Sequence, residues 1–305
     1  MKASMSHRMS RWLAAALLLL GTYAPGHPVA AKTSKAAATP ALWVVKDADT
    51  TIYLFGTVHV LKPGIPWFSG DIKRAFDQSD ELVLEILEPE NPAEMAAAMA
   101  GKALASDGIK LSDRLDADAR TKYQAAMAAN GLPWVAFEGF NPWMSGMMLS
   151  VAPLERLGYK ADQGAEKQLT QAAKAVGKPI GALETVEQQI GYFASLPMEH
   201  QIAFLNATVN GLPDMDREFA SLIDHWRKGE PDKLADEMND SLQATPELAK
   251  VLLVDRNAHW AAWIKQRLDK PGTVFIAVGA GHLAGRESVQ AQLKGLGVPS
   301  ERVRD

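Results

Sequence analysis

The chain has 305 residues, 32 Lys and Arg against 36 Asp and Glu, a net charge of −4 and no cysteine. The length allows one large α/β domain or two small ones. The acidic balance, without clustered Lys or Arg, speaks against nucleic acid as a partner, and the missing cysteines exclude disulfides, thiol nucleophiles and Cys-ligated metal.

Lys2, Arg8 and Arg11 precede the apolar run Trp12 to Leu20, and Val29-Ala30-Ala31 ends the stretch with small residues. That pattern predicts an export signal over residues 1–31, because the apolar run is too short to span a bilayer. The signal holds three positive charges and no acid, so the chain left after cleavage would carry −7. Its expected location is periplasmic or extracellular. Residues 32–40 read as a disordered Ala/Thr/Ser/Pro tether, residues 41–305 as a single domain without a membrane span after cleavage.

Leu42–Lys46 and Thr51–Phe55 are predicted strands around the turn Asp47-Ala48-Asp49. The second runs into Gly56-Thr57-Val58-His59. A short helix capped by Ser69 is expected through Gln78. Glu81–Leu87 reads as a strand apolar on both faces except at Glu85, as a covered sheet requires. From residue 91 to about 157 the chain is helical and rich in Ala and Met, and forms a helical insertion or cap. Helices are expected at 92–105, 116–129 and 142–151. Another runs to Val176, and Lys178–Leu183 is a strand that ends at Glu184-Thr185 before a helix bearing Gln188.

Helices fill most of 186–228, then 231–239 and 246–270. In the last, Leu253, Asn257, Trp260, Ile264 and Leu268 form one stripe, which puts Asn257 on an apolar face with Arg256 beside it. The strand Thr273–Val278 leads into Gly279-Ala280-Gly281-His282, a second Gly-x-x-His. A final helix at 286–294 and a strand stub at Arg302-Val303 close the chain. The expected fold is α/β, a central, mixed, largely buried sheet with helices around it and the helical cap.

His59, Glu184 and His282 fall at or just past strand ends, Glu85 within the second half of a strand, and Arg256 and Asn257 on the helix before the last strand. In a mostly parallel sheet these ends meet on one rim, where α/β folds form their crevice. Each position also has a structural reading: Glu85 paired with Arg256, Glu184 favoured by a helix dipole, and Arg256-Asn257 as a polar lock. His200, His225, His259 and the tryptophans read as surface or packing residues.

Phe55-Gly-Thr-Val-His59, Leu84-Glu85, Leu183-Glu-Thr-Val-Glu-Gln188, Asp255-Arg-Asn257 and Val278-Gly-Ala-Gly-His-Leu283 together resemble the TraB/GumN family, which is related to the TIKI metalloproteases and distantly erythromycin-esterase-like. The resemblance covers the chain from about Leu42 onward. It implies an active site of His59, His282 and Glu85, with Glu184, Arg256 and Asn257 in support. The resulting expectation is a metal-dependent hydrolase of a peptide or other acyl bond. His59 and His282 with Glu85 or Glu184 would hold Mn, Co or Zn, the other carboxylate would be general base, and Arg256 would face the oxyanion. A metal-free hydrolase with a histidine base is the nearer variant. The alternative class is a non-catalytic binding protein for a peptide, a polysaccharide fragment or a haem-like ligand.

Overall fold

The computed structural model describes residues 38–242 and 246–304. The expected export signal lies outside the described residues, as does most of the tether.

Six strands form one mixed sheet: β1 (Leu42–Lys46), β2 (Thr50–Thr57), β3 (Glu81–Leu84), β4 (Ile180–Ala182), β5 (Gly272–Gly279) and β6 (Glu301–Arg302). Their order across the sheet is β4-β3-β5-β2-β1-β6. The four strands β4, β3, β5 and β2 run parallel, while β1 is antiparallel to β2 and β6 to β1. Asp47 makes the β1–β2 turn, its carboxylate accepting from the N–H groups of Asp49 (3.1 Å) and Thr50 (2.8 Å).

The two-residue period of a strand sends alternate side chains of β5 to opposite faces. Phe275 and Ala277 join a core with Phe55, Leu82 and Leu84, covered by residues of helices 70–78, 165–175, 215–227 and 231–242. Val274, Ile276 and Val278 face the other way, onto Trp260 and Ile264 of helix 255–267 and Val289 and Leu293 of helix 289–295. Both faces are therefore covered, which accounts for continuous apolar runs in place of alternation. On the first face Phe55 stacks on Trp67 with ring centroids 5.3 Å apart, and the indole N–H of Trp226 donates to the carbonyl of Gly56 at 2.7 Å.

The segment between β3 and β4 contains helices 92–103, 117–129, 142–156 and 165–175, and the segment between β4 and β5 contains helices 186–194, 198–211, 215–227 and 231–242. Trp143 and Met147 of helix 142–156 pack with Ile190, Phe193 and Phe204 from the second segment. The cap is thus built from two stretches of chain. No helix among the described residues is long and apolar enough to cross a membrane.

Several boundaries differ from expectation. β3 ends at Leu84, so Glu85 lies just beyond the strand, although the N–H of Glu184 still donates to its carbonyl at 2.8 Å. Helix 142–156 continues through Pro153, where only one backbone donor is lost. The segment 246–270 is not one α-helix: residues Lys250–Val254 form a π turn before helix Asp255–Arg267.

Candidate active site

Because β4, β3, β5 and β2 are parallel and adjacent, their carboxyl ends form one row. Glu184 follows β4, Glu85 follows β3, His282 follows β5 and His59 follows β2. In the β2–β5 register Gly56 lies opposite Val278 and Thr57 opposite Gly279, so the two Gly-x-x-His turns leave the sheet side by side. A Cβ added to Gly56 would stand 3.1 Å from the Ala280 Cα, so the missing side chain is what lets the turns touch.

Arg256 ties this row together. Its Nη2 donates to Glu85 Oε2 at 2.7 Å and Glu184 Oε2 at 2.9 Å, and its Nε donates to Glu184 Oε1 at 2.9 Å. Nη1 reaches the Leu252 carbonyl (3.2 Å) within the π turn and His282 Nε2 (3.1 Å). Glu85 also accepts from the Gly279 N–H at 2.6 Å. Gln189 donates to Glu85 (3.0 Å) and Glu184 (3.2 Å), and Trp260 Nε1 donates to Glu184 at 3.0 Å. The Thr185 and Gln188 capping box fixes the start of helix 186–194 immediately after Glu184.

Arg256, Asn257 and His282 are fully buried, and Glu85 and Glu184 nearly so. Burial opposes the charge on Arg256, but Glu85 and Glu184 outweigh it and hold its pKa above the ordinary value. For His282, burial and then the charges of Arg256 and His59 push the pKa well below the ordinary value, so the ring is neutral at pH 7. Guanidinium can only donate, so Nε2 carries the lone pair and Nδ1–H donates to Asn257 Oδ1 at 2.6 Å. Asn257 is itself oriented by donating to the Glu287 carbonyl at 2.6 Å.

Five of the six residues singled out in the sequence thus share one hydrogen-bonded cluster. His59 belongs to a neighbouring arrangement. Its Nδ1 lies 3.0 Å from Glu166 Oε1, with both side chains mostly covered but open to solvent, and Thr57 Oγ1 donates to the same carboxylate oxygen. Burial pushes the Glu166 carboxyl up, and the ion pair with His59 and the hydrogen bonds from His59 and Thr57 outweigh it, leaving the pKa below the ordinary carboxylate value.

Glu166 lies in the first turn of helix 165–175, docked on the His59 loop: the Ala165 N–H donates to the Val58 carbonyl at 2.9 Å. A Cβ on Gly164 would fall 2.1 Å from the His59 carbonyl oxygen, which leaves glycine as the only residue that fits. Sequence reasoning missed Glu166, Gln189 and Trp260. The last two were visible only as a neighbour of Gln188 and as a member of an apolar stripe.

The expected metal ligands are held by contacts within the protein. His282 Nε2 faces the Arg256 guanidinium, a positive charge where an ion would sit, and Glu85 uses both oxygens on internal donors. His59 is turned to Glu166, and among the described residues no three His, Asp or Glu side chains are placed so that they could hold one ion. As arranged, His59, His282 and Glu85 do not fit a shared metal. Arg256, expected at an oxyanion, has every nitrogen engaged within the protein.

A family model described as TraB/PrgY/gumN family matches residues 41–302. The chain is similar to the Escherichia coli (strain K12) protein described as uncharacterized protein YbaP, at 24% identity over 84% of this chain and 92% of that protein. A protein of the same description from Shigella flexneri matches at the same identity and coverage. No solved structure matches.

Proposed function

This chain belongs to the TraB/PrgY/gumN family, and on that premise we propose that it is a hydrolase of a peptide or other acyl bond, working outside the cytoplasm, in which His59 is the general base. The observation that carries the reading is the His59–Glu166 pair, at 3.0 Å, beside the sealed cluster on the same row of strand ends. A carboxylate on Nδ1 fixes the tautomer, so Nε2 is the nitrogen that takes a proton, and it stabilises the positive charge the ring then gains. Nε2 removes a proton from water, the water oxygen attacks the acyl carbon, and the imidazolium returns the proton to the leaving amine or alcohol as its bond to that carbon breaks.

Arg256, Glu85, Glu184 and His282 have a positioning role in this reading, holding the β5 turn against β3 and β4. No step passes through a metal. The test is an assay of purified protein on peptide and ester panels, with and without chelator, beside His59→Ala and Glu166→Gln. Turnover that survives His59→Ala overturns the proposal; turnover lost to chelator and restored by Mn²⁺, Co²⁺ or Zn²⁺ overturns its metal-free form.

A second reading, a binding protein without turnover, draws support from the sealing of the cluster, whose charged groups are satisfied by internal partners. It predicts a ligand that co-purifies in stoichiometric amount and is recovered unchanged after long incubation.

A further inference from the structure

Thr57 is the last residue of β2 and is fully buried. Side chains two apart on a strand share a face, so Thr57 follows Phe55 onto the face where Phe55 packs with Ala165, Leu169 and Ala173 of helix 165–175. An apolar residue would suit that face. The Thr57 hydroxyl instead donates to Glu166 Oε1, in the first turn of the same helix. That is the oxygen that meets His59 Nδ1 at 3.0 Å, so Thr57 and His59 converge on one atom of Glu166.

The other carboxylate oxygen, Glu166 Oε2, is buried and has no hydrogen-bond partner among the described residues. A buried acceptor without a donor is unfavourable, so the carboxylate gains from any turn that brings Oε2 to water. His59 alone is a weak check on that turn, because it lies in the loop after β2 and its ring is partly open to solvent. Thr57 is the firmer anchor, a strand residue paired with Gly279 across the β2–β5 ladder.

We propose that Thr57 is a positioning residue of the His59–Glu166 pair: by holding Oε1 it keeps the carboxylate turned to Nδ1, and so keeps the His59 proton on Nδ1 and the lone pair on Nε2. The kinetic consequence rests on the hydrolase reading, to which a third side chain is added. In Thr57→Val the shape is kept, a methyl group replaces the hydroxyl, and Oε1 faces carbon. An ionised oxygen against a methyl group is desolvated without compensation, so the carboxylate turns to water and Nδ1 loses its acceptor. The ring then reverts to its common form in water, with the proton on Nε2. The nitrogen that should take a proton from water is thereby occupied.

The experiment reads the ring directly. His59 is observed by ¹⁵N NMR in the purified protein, assigned by its loss in His59→Ala, at a pH high enough that its two nitrogen shifts no longer move. The parent is expected in the Nδ1–H form and Thr57→Val mostly in the Nε2–H form. Thr57→Ser, which restores the hydroxyl but lacks the methyl, is expected in the parent's form. A packing role would leave Thr57→Ser, with its cavity, no better than Thr57→Val. On a peptide or ester that the parent cleaves, Thr57→Val is expected to lower kcat about ten-fold with KM within about two-fold, and Thr57→Ser to restore most of it.

A parent ring in the Nε2–H form, parent-like shifts in Thr57→Val, or Thr57→Ser no better than Thr57→Val overturns the proposal. Should Thr57→Val fail to fold, Thr57→Ala removes the same donor and takes its place. If the parent cleaves no substrate, the hydrolase reading fails, and the nitrogen shifts alone decide whether Thr57 holds the pair.

Discussion

Arg256 Nη1 donates to Nε2 of His282 across 3.1 Å, within a site where neither residue is exposed to solvent. A guanidinium therefore stands where a ligating histidine would face its ion, and the imidazole is kept neutral by its burial first and by the Arg256 charge second. Arg256 carries the compensating charge for Glu85 and Glu184, which makes it the residue whose removal should be felt most.

Arg256→Met leaves two buried carboxylates without their cation. Loss of one partner of a buried pair costs about 3–5 kcal/mol, and a loss in this range is expected in urea unfolding. Adding Glu85→Gln and Glu184→Gln should recover part of it, since fewer charges are then stranded. A single variant within about 1 kcal/mol of the parent would contradict the charge-compensation role, given the surface-like effect it implies.

His282 has a depressed pKa in the folded state, so the unfolded chain binds the proton first as pH falls. The stability associated with neutral His282 is fully present above the unfolded value of about 6.5 and is lost as pH drops from there toward the folded value. Between those limits the slope from this group is about 1.4 kcal/mol per pH unit. Unfolding measured at several pH values below neutrality should show it, and His282→Gln should flatten it. Glu166, whose carboxyl is held low, adds a separate loss at more acidic pH, as its unfolded carboxyl takes up a proton near pH 4–5 ahead of the folded one.

Glu166→Gln retains a side chain of the same shape but can present an amide N–H to His59 Nδ1, favouring the other tautomer. In the proposed hydrolase kcat should fall about 10²-fold or more, with unfolding midpoint little changed. His59→Ala combined with Glu166→Gln should be no slower than His59→Ala alone, because the two act as one unit. Independent, multiplying effects on kcat would argue against the dyad.

Gly164→Ala forces a methyl group into the His59 carbonyl, where the gap to a Cβ is 2.1 Å. The helix start or the His59 loop must move. A loss of at least about 1–3 kcal/mol is expected, together with a shift of the His59 ring resonances. Gly56→Ala, with its nearest contacts at 3.1 and 3.2 Å on Ala280, should be milder.

Treatment with chelator followed by dialysis should leave both the unfolding midpoint and turnover unchanged, since the present contacts of His59, His282 and Glu85 serve protein groups. Elemental analysis of the purified protein should find less than stoichiometric divalent metal. Stoichiometric metal lost together with activity would show that Arg256 yields its place to an ion.

The row of strand ends was legible because each member breaks a local pattern. Glycine interrupts an apolar run before His59 and His282, Glu85 is a lone carboxylate in a covered strand, and Asn257 interrupts a helix stripe. Glu166 breaks nothing. An acidic residue in the first turn of an amphipathic helix is favoured by the helix dipole wherever it occurs, and only the docking of Gly164 on His59 distinguishes it. Gln189 was masked by Gln188, whose side chain closes the capping box while its neighbour turns inward. The π turn was illegible for a different reason: its side-chain pattern resembles that of an α-helix, and the added width is seen only in the backbone.

The hydrogen bonds that meet at Glu85 join residues distant in the chain: 104 positions to Gln189, 171 to Arg256 and 194 to Gly279. None of them can be made by local structure. β3, β5 and the helix bearing Arg256 must already be near their final places before the carboxylate meets its cation, and until then two acids and a guanidinium remain hydrated. The cluster is accordingly expected to close late on the folding route. Local helices of the cap are free to form early, while commitment of the whole chain waits on contacts of long sequence separation, which close slowly.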